Sequence, residues 1–254
     1  MVMYMRIGSF NIKDDLINRR GGLREDGISN VDIITDIILK NKIDLIGCQE
    51  MTFNLLNNFK LKLKGYKAYG RYRFSNIFVK IPFNESNNII TNKKVIFNKT
   101  YRLPLFPPKY SDIKKLVKKR AVFPRIATVV IFLYEDKKIC MINTHLNNRI
   151  PDLRARQVNK LKKIINKFNK YPIILTGDFN MKLGDSVLDN FIDYLKNIGI
   201  SRVNIEKNKL SKNKLYDEVI DHIFIPSEWK INKSCMFDSL GSSDHDYLYV
   251  DVEL

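Results

Sequence analysis

The sequence predicts an α/β (α+β) protein, and three features predict it. Short apolar runs bounded by turn formers recur along the chain, the form that fully buried strands take. Amphipathic stretches of helical period separate several of them. The apolar runs also stop abruptly on polar residues, among them Asn11, Glu50 and Asp178. The run Tyr171–Thr176 shows this best, because Gly177 lets the backbone turn and Asp178 and Asn180 then emerge together at the strand's carboxyl end. A carboxylate and a carboxamide in that place can hold a water, a metal or a substrate oxygen, although Gly-Asp-x-Asn is also a good turn.

In chain order, Met3–Ile12 is a strand ending in the exposed amide of Asn11, and the polar Lys13–Gly27 is a loop. Ser29 caps a helix, with Asp32 in a capping-box place and Val31, Ile34 and Ile38 on its apolar face. Ile43–Gln49 is a buried strand ending at Glu50, and Thr52–Lys64 is a helix stopped by Gly65. Tyr66–Phe74 interleaves Tyr66, Tyr69, Tyr72 and Phe74 with Lys67, Arg71 and Arg73. An edge strand with one wet face gives that pattern, and so does a surface that stacks on bases and neutralises phosphates.

Strands at Asn87–Thr91 and Lys94–Leu103 lead into Pro104, Pro107 and Pro108. Lys109–Arg125 then carries seven basic residues against one acid, Asp112, as a polyanion-binding rim or a solvated helix. Phe123–Tyr134 and Lys138–Leu146 form a hairpin across Glu135-Asp136, and its second strand ends in Asn143-Thr144-His145. A lone histidine there is more often a structural hydrogen-bonding residue than a catalytic one. Leu153–Phe168 is an amphipathic helix with Val158, Leu161, Ile165 and Phe168 inward. A helix at Ser186–Ile198 ends at Gly199, and a Lys-rich loop follows at Lys207–Lys214. The strands Val219–Ile225 and Tyr247–Leu254 carry Asp221-His222 and Ser243-Asp244-His245 at or beside their ends. No linker or repeat divides the chain, so 1–254 reads as one domain.

With 254 residues the chain can bury a sizeable core without staples. Its 44 Lys and Arg against 27 Asp and Glu give +17, a field that favours polyanions unless it only reflects solvated lysine faces. Cys48, Cys140 and Cys235 sit singly in apolar contexts with no CxxC, which argues against disulfides and zinc and for a reducing, cytoplasmic compartment. The start of the chain lacks a signal-peptide pattern, and no run approaches the roughly 18 apolar residues of a membrane span.

Asn11, Glu50, His145, Asp178, Asn180, Asp221, Asp244 and His245 all lie at or just after strand ends, and in a two-sheet structure such ends meet at one rim. The oxygen donors Glu50, Asp244 and the Asn amides suit Mg²⁺ or Mn²⁺, whereas the histidines are poorly matched to zinc.

Quoted together, SFNI at Ser9, CQE at Cys48, ESNNII at Glu85, NTHL at Asn143, GDFN at Gly177, IDHIF at Ile220 and SDH at Ser243 resemble the ordered motifs of the endonuclease/exonuclease/phosphatase superfamily, the deoxyribonuclease I-like fold. The resemblance implies a four-layer α/β/β/α sandwich, two mixed sheets face to face with helices outside. It implies Glu50 as the main metal ligand, with Asn11 and Asp244 completing or orienting its shell. Asp178 would position or deprotonate the attacking water, and Asn180 would hold a phosphate oxygen and Asp178. His245, oriented by Asp221, would stabilise the pentavalent phosphorus or pass a proton. His145 would bind the phosphate from the other side, supported by Glu85. Lys13, His145 and Asp246 depart from the abasic-site endonuclease pattern and favour the deoxyribonuclease or phosphatase branches. The expectation is a Mg²⁺-dependent nuclease, with segments 66–74, 109–125 and 207–214 bordering nucleic acid. The alternatives are a phosphatase or phosphodiesterase for phosphoinositides, sphingolipids or other small esters, and a non-catalytic polyanion-binding module.

Overall fold

The computed structural model describes residues 4–12, 30–74, 84–106, 123–205, 219–237, 239 and 242–254. The Lys13–Gly27 loop, the Ser29 cap, 109–122 of the basic segment and the Lys207–Lys214 loop lie outside them. In chain order the elements are β1 (Tyr4–Asn11), α1 (Asn30–Lys40), β2 (Leu45–Met51), α2 (Phe53–Lys62), β3 (Lys67–Tyr69), β4 (Ser86–Thr91), β5 (Lys94–Arg102), β6 (Ile126–Tyr134), β7 (Lys137–His145), α3 (Pro151–Phe168), β8 (Ile173–Asp178), α4 (Ser186–Asn197), β9 (Ile200–Arg202), β10 (Asp221–Pro226), β11 (Lys230–Phe237) and β12 (Tyr247–Glu253).

Two six-stranded sheets form, in the orders β11-β12-β1-β2-β4-β3 and β5-β6-β7-β8-β10-β9. Each is mixed, with one parallel pair, β1 with β2 and β7 with β8. Ile7, Leu45 and Ile89 of the first sheet share a core with Phe132, Met141 and Ile174 of the second. The outer face of the first sheet packs on α1 and α2 through Ile34, Ile38 and Phe59. The outer face of the second packs on α3 and α4 through Leu161, Ile165 and Phe191. This is the four-layer α/β/β/α sandwich that the resemblance implies.

The helices start where the sequence lets them. Pro151 opens α3, where its missing N–H costs nothing, and Asn147 Oδ1 accepts from the backbone N–H groups of Arg149 and Ile150 at 2.9 Å each. The buried face of α3 includes Leu153, Val158, Leu161, Ile165 and Phe168, each worth about 1.5–3 kcal/mol. Asp185 caps α4 by accepting from Val187 N–H at 2.9 Å.

The sheets approach closely just behind the polar strand ends. A Cβ on Gly47 would lie 2.2 Å from Thr176 Oγ1, so only glycine fits. Beside it Gln49 Nε2 donates to Asn143 Oδ1 at 2.6 Å, and Asn143 Nδ2 donates to the carbonyls of Cys48 and Asn88. This buried amide bridge crosses from one sheet to the other, and its hydrogen bonds tie their relative register.

Three strand assignments differ from expectation. Of Tyr66–Phe74 only Lys67–Tyr69 joins the sheet as its edge strand, with an isolated bridge from Tyr72 to Ser86. The short β9 and the polar edge strand β11 carry no strong apolar signal and are additions. Cys48 and Cys140 are buried, where burial pushes the Cys140 thiol up to about 12, while Cys235 is half-buried on β11. Among the described residues no helix is long and apolar enough to cross a membrane.

Candidate active site

Strand register assembles the site. Parallel β7 and β8 set His145 beside Asp178, and antiparallel β10 sets Asp221 beside Asp178 on its other flank. On the facing sheet, parallel β1 and β2 put Asn11 beside Gln49, with Glu50 next in the chain. His245 lies just before β12, the other neighbour of β1. Asn11 joins the two sheets here. Expected as an exposed amide, it is instead 1% exposed, and its Nδ2 donates to Asp178 Oδ2 at 3.0 Å and lies 3.4 Å from both Glu50 Oε1 and His245 Nε2.

The backbone bends to present these groups. Glu50 (φ 58°) and Asn180 (φ 52°) take the left-handed conformation that side chains disfavour. Glu50 sits where the β2–β4 register shifts between Cys48 and Met51, a bulge that re-aims its side chain. Gly177 is required by close approach, since a Cβ there would lie 2.2 Å from the Thr144 carbonyl oxygen.

Charge is arranged in two ways. His245 Nδ1 meets Asp221 Oδ2 at 2.6 Å. Burial opposes charge on this ring, but Asp221, Asp178 and Asp244 outweigh it and raise the imidazolium to about 10. Asp178 is pushed up to about 7 by burial and then by Asp221. His245, the Asn11 amide and the Asn180 N–H pull it back. His145 lies with Nε2 at 3.4 Å from Asp178 Oδ2 and Nδ1 at 3.8 Å from Glu50 Oε1. Burial, with Arg125, Arg73 and His245, nevertheless holds it well below the ordinary histidine range. These contacts are therefore those of a neutral ring.

Glu85 has a partner that was not expected, and Asn180 holds Asp178 through its backbone. Glu85 is bound by Arg73 in a two-point pair, Nη1 to Oε2 at 2.8 Å and Nη2 to Oε1 at 2.9 Å, so the acids flanking His145 are Glu50 and Asp178. Asn180 touches Asp178 through its backbone N–H at 2.9 Å, while its side-chain Nδ2 donates to the Leu146 carbonyl at 3.0 Å. Asp244 Oδ1 stands 3.9 Å from His245 Nε2. His222 is structural: Nε2–H donates to the Met181 carbonyl at 2.9 Å, and Nδ1 accepts from Arg202 at 3.1 Å.

Sequence reading missed Arg73 and Arg125 as part of this rim. Both stand in basic segments expected to border nucleic acid, though neither was singled out as a site residue; they are 6% and 7% exposed and line a cavity of about 150 Å³ beside Glu50. No local sequence signal marks either.

The oxygen donors of the rim fit a divalent cation. Asp178, Asp221 and His245 each offer an atom within 4.8 Å of the others, but a charged His245 ring paired with Asp221 is not a ligand. The fit therefore rests on carboxylate oxygen, with Glu50 beside the Asn11 amide, as Mg²⁺ or Mn²⁺ requires.

Residues 17–245 match the endonuclease/exonuclease/phosphatase family. No curated protein sequence matches the chain. Among solved structures, a family protein from Bacteroides thetaiotaomicron superposes with a TM-score of 0.77 at 19% identity, over 100% of this chain and 99% of that one. The mannosyl-6-phosphatase of the same organism gives 0.74 at 17%, over 98% and 99%. D. rerio TDP2 complexed with a single-strand DNA product gives 0.67 at 13%, over 98% of each chain.

Proposed function

The chain belongs to the endonuclease/exonuclease/phosphatase family, hydrolases of phosphoester bonds, and from that premise we propose that it is a nuclease that cleaves nucleic-acid phosphodiesters with an activated water. The observation that carries the hydrolytic part is the strand register that lines up His145, Asp178 and Asp221 and faces them with Asn11, Glu50 and His245. The choice of nucleic acid is supported by the +17 charge and by the likeness to a protein complexed with DNA.

Asp178, its carboxylate held by Asn11 and the Asn180 N–H, orients the attacking water and takes its proton. His245, kept charged by Asp221, neutralises the charge that develops on phosphorus and can give a proton to the leaving oxygen. His145, neutral, offers a single N–H to a phosphate oxygen. Enzymes of this family generally depend on a divalent metal; Glu50, with Asn11 and Asp244, would hold Mg²⁺ or Mn²⁺, which supplies Lewis-acid polarisation of a phosphoryl oxygen when bound.

A small-ester phosphatase is the second reading, favoured by the likeness to a mannosyl-6-phosphatase. The experiment is Mg²⁺-dependent hydrolysis of supercoiled plasmid, single-stranded DNA, RNA, phosphoinositides and small phosphate esters, run beside Asp178→Asn. Cleavage of a polymer that the variant lacks is the expected result. Phosphate release from small esters alone moves the assignment to phosphatase.

A further inference from the structure

The cavity beside Glu50 is lined by Glu85, Phe123 and three arginines, Arg73, Arg125 and Arg149. Burying a guanidinium is costly unless charged partners and hydrogen bonds replace its water. Arg73 has them, in the two-point pair with Glu85 and the Phe123 ring 4.8 Å from its guanidinium carbon. Arg125 differs: its Nε–H is buried without a hydrogen-bond partner. A buried donor left unmade costs about 1–3 kcal/mol, so Arg125 is under-partnered, and an anion in the cavity that its side chain lines would supply the guanidinium with a counter-charge.

Two of the cavity's lining residues are held in place. Glu85 clamps Arg73, and Asn147 fixes the backbone of Arg149. Its volume of about 150 Å³ is half or less of the roughly 300 Å³ at which pockets begin to hold a drug-sized ligand. A tetrahedral oxyanion fits that volume. Glu50, on the cavity wall, stands 3.8 Å from His145, which stands 3.4 Å from Asp178. An anion held there therefore neighbours the ester presented to Asp178.

We propose that this cavity receives a terminal phosphate of the substrate, so that the enzyme works at strand ends carrying a phosphomonoester next to the ester it cleaves. The proposal rests on the nuclease reading and adds the substrate's end to it.

The test titrates metal-free protein with single-stranded oligonucleotides of one sequence carrying a 5′ phosphate, a 3′ phosphate or neither. One phosphorylated form is expected to bind about tenfold tighter than the bare strand. That advantage should vanish in Arg125→Met and in Arg149→Gln, an exposed position where misfolding is not at issue, and survive in Lys163→Gln, which removes the same charge from the outer face of α3. Equal affinity for all three strands, or an advantage that survives both arginine variants, overturns the proposal. With Mg²⁺ added, cleavage of all three strands at equal kcat/KM also overturns it while leaving the nuclease reading intact. Failure to cleave any nucleic acid overturns the nuclease reading, and the binding ratio then decides the cavity separately.

Discussion

The two halves of the site rim treat the same side chain in opposite ways. His245 and His145 are both buried, at 8% and 3% exposure, and both have a carboxylate within 4 Å. His245 faces Asp221, Asp178 and Asp244 and is held charged; His145 faces Arg125 and Arg73 as well and is held neutral. Burial alone would discharge both. The difference teaches that the second ring of charge decides which histidine carries the proton. It makes one half of the rim suited to stabilising negative charge on phosphorus and the other to accepting an anion through arginine.

The strongest way to break this contrast is Asp178→Asn, which removes the acid shared by both halves. Hydrolysis should fall by about a thousandfold with the far-ultraviolet circular dichroism unchanged; a variant that keeps most of its rate would remove Asp178 from its role. Asp221→Asn takes away the partner of His245 and the charge that helps to raise Asp178. Hydrolysis should drop by about a hundredfold, with the His245 ring titrating at lower pH by NMR. Glu50→Gln should leave the maximal rate closest to wild type and raise the Mg²⁺ concentration for half-activation at least about tenfold, so an unchanged metal titration would exclude Glu50 as a ligand.

His222 sharpens the comparison without touching the rate. Burial pushes it down to about 4 from the ordinary 6.5. A histidine depressed in the folded state contributes stability that is present above its unfolded value and is lost as pH falls from 6.5 toward 4. The full loss is roughly 3 kcal/mol, measurable by urea unfolding at several pH values, and His222→Gln should flatten that part of the profile.

Much of this was legible from the chain. Buried strands and the helices α2, α3 and α4 announce themselves by apolar period, and the site residues by standing where apolar runs stop. Long-range pairing was not legible. Arg73 sits 12 residues from Glu85, and Arg125 far from both, so nothing local distinguishes a buried arginine from a solvated one. The pairing of Glu85 with Arg73 was not foreseen for that reason. Asn11 looked exposed because a lone amide after an apolar run gives no sign of the three polar groups that gather around it from other strands. β11 was missed because it is an edge strand whose polar face looks to solvent, which leaves KINKSCMF without an apolar run.

The chain has three histidines, His145, His222 and His245, so one spectrum reads them all. NMR of histidine-labelled, metal-free protein should show at about pH 8, where an ordinary histidine is neutral, one imidazolium, assigned to His245 by its loss in His245→Ala. At about pH 5.5, where an ordinary histidine is charged, the other two rings should still be neutral. Three rings titrating together near 6.5, or the charged ring assigned to His145, would contradict the division of the rim from which the chemistry is derived.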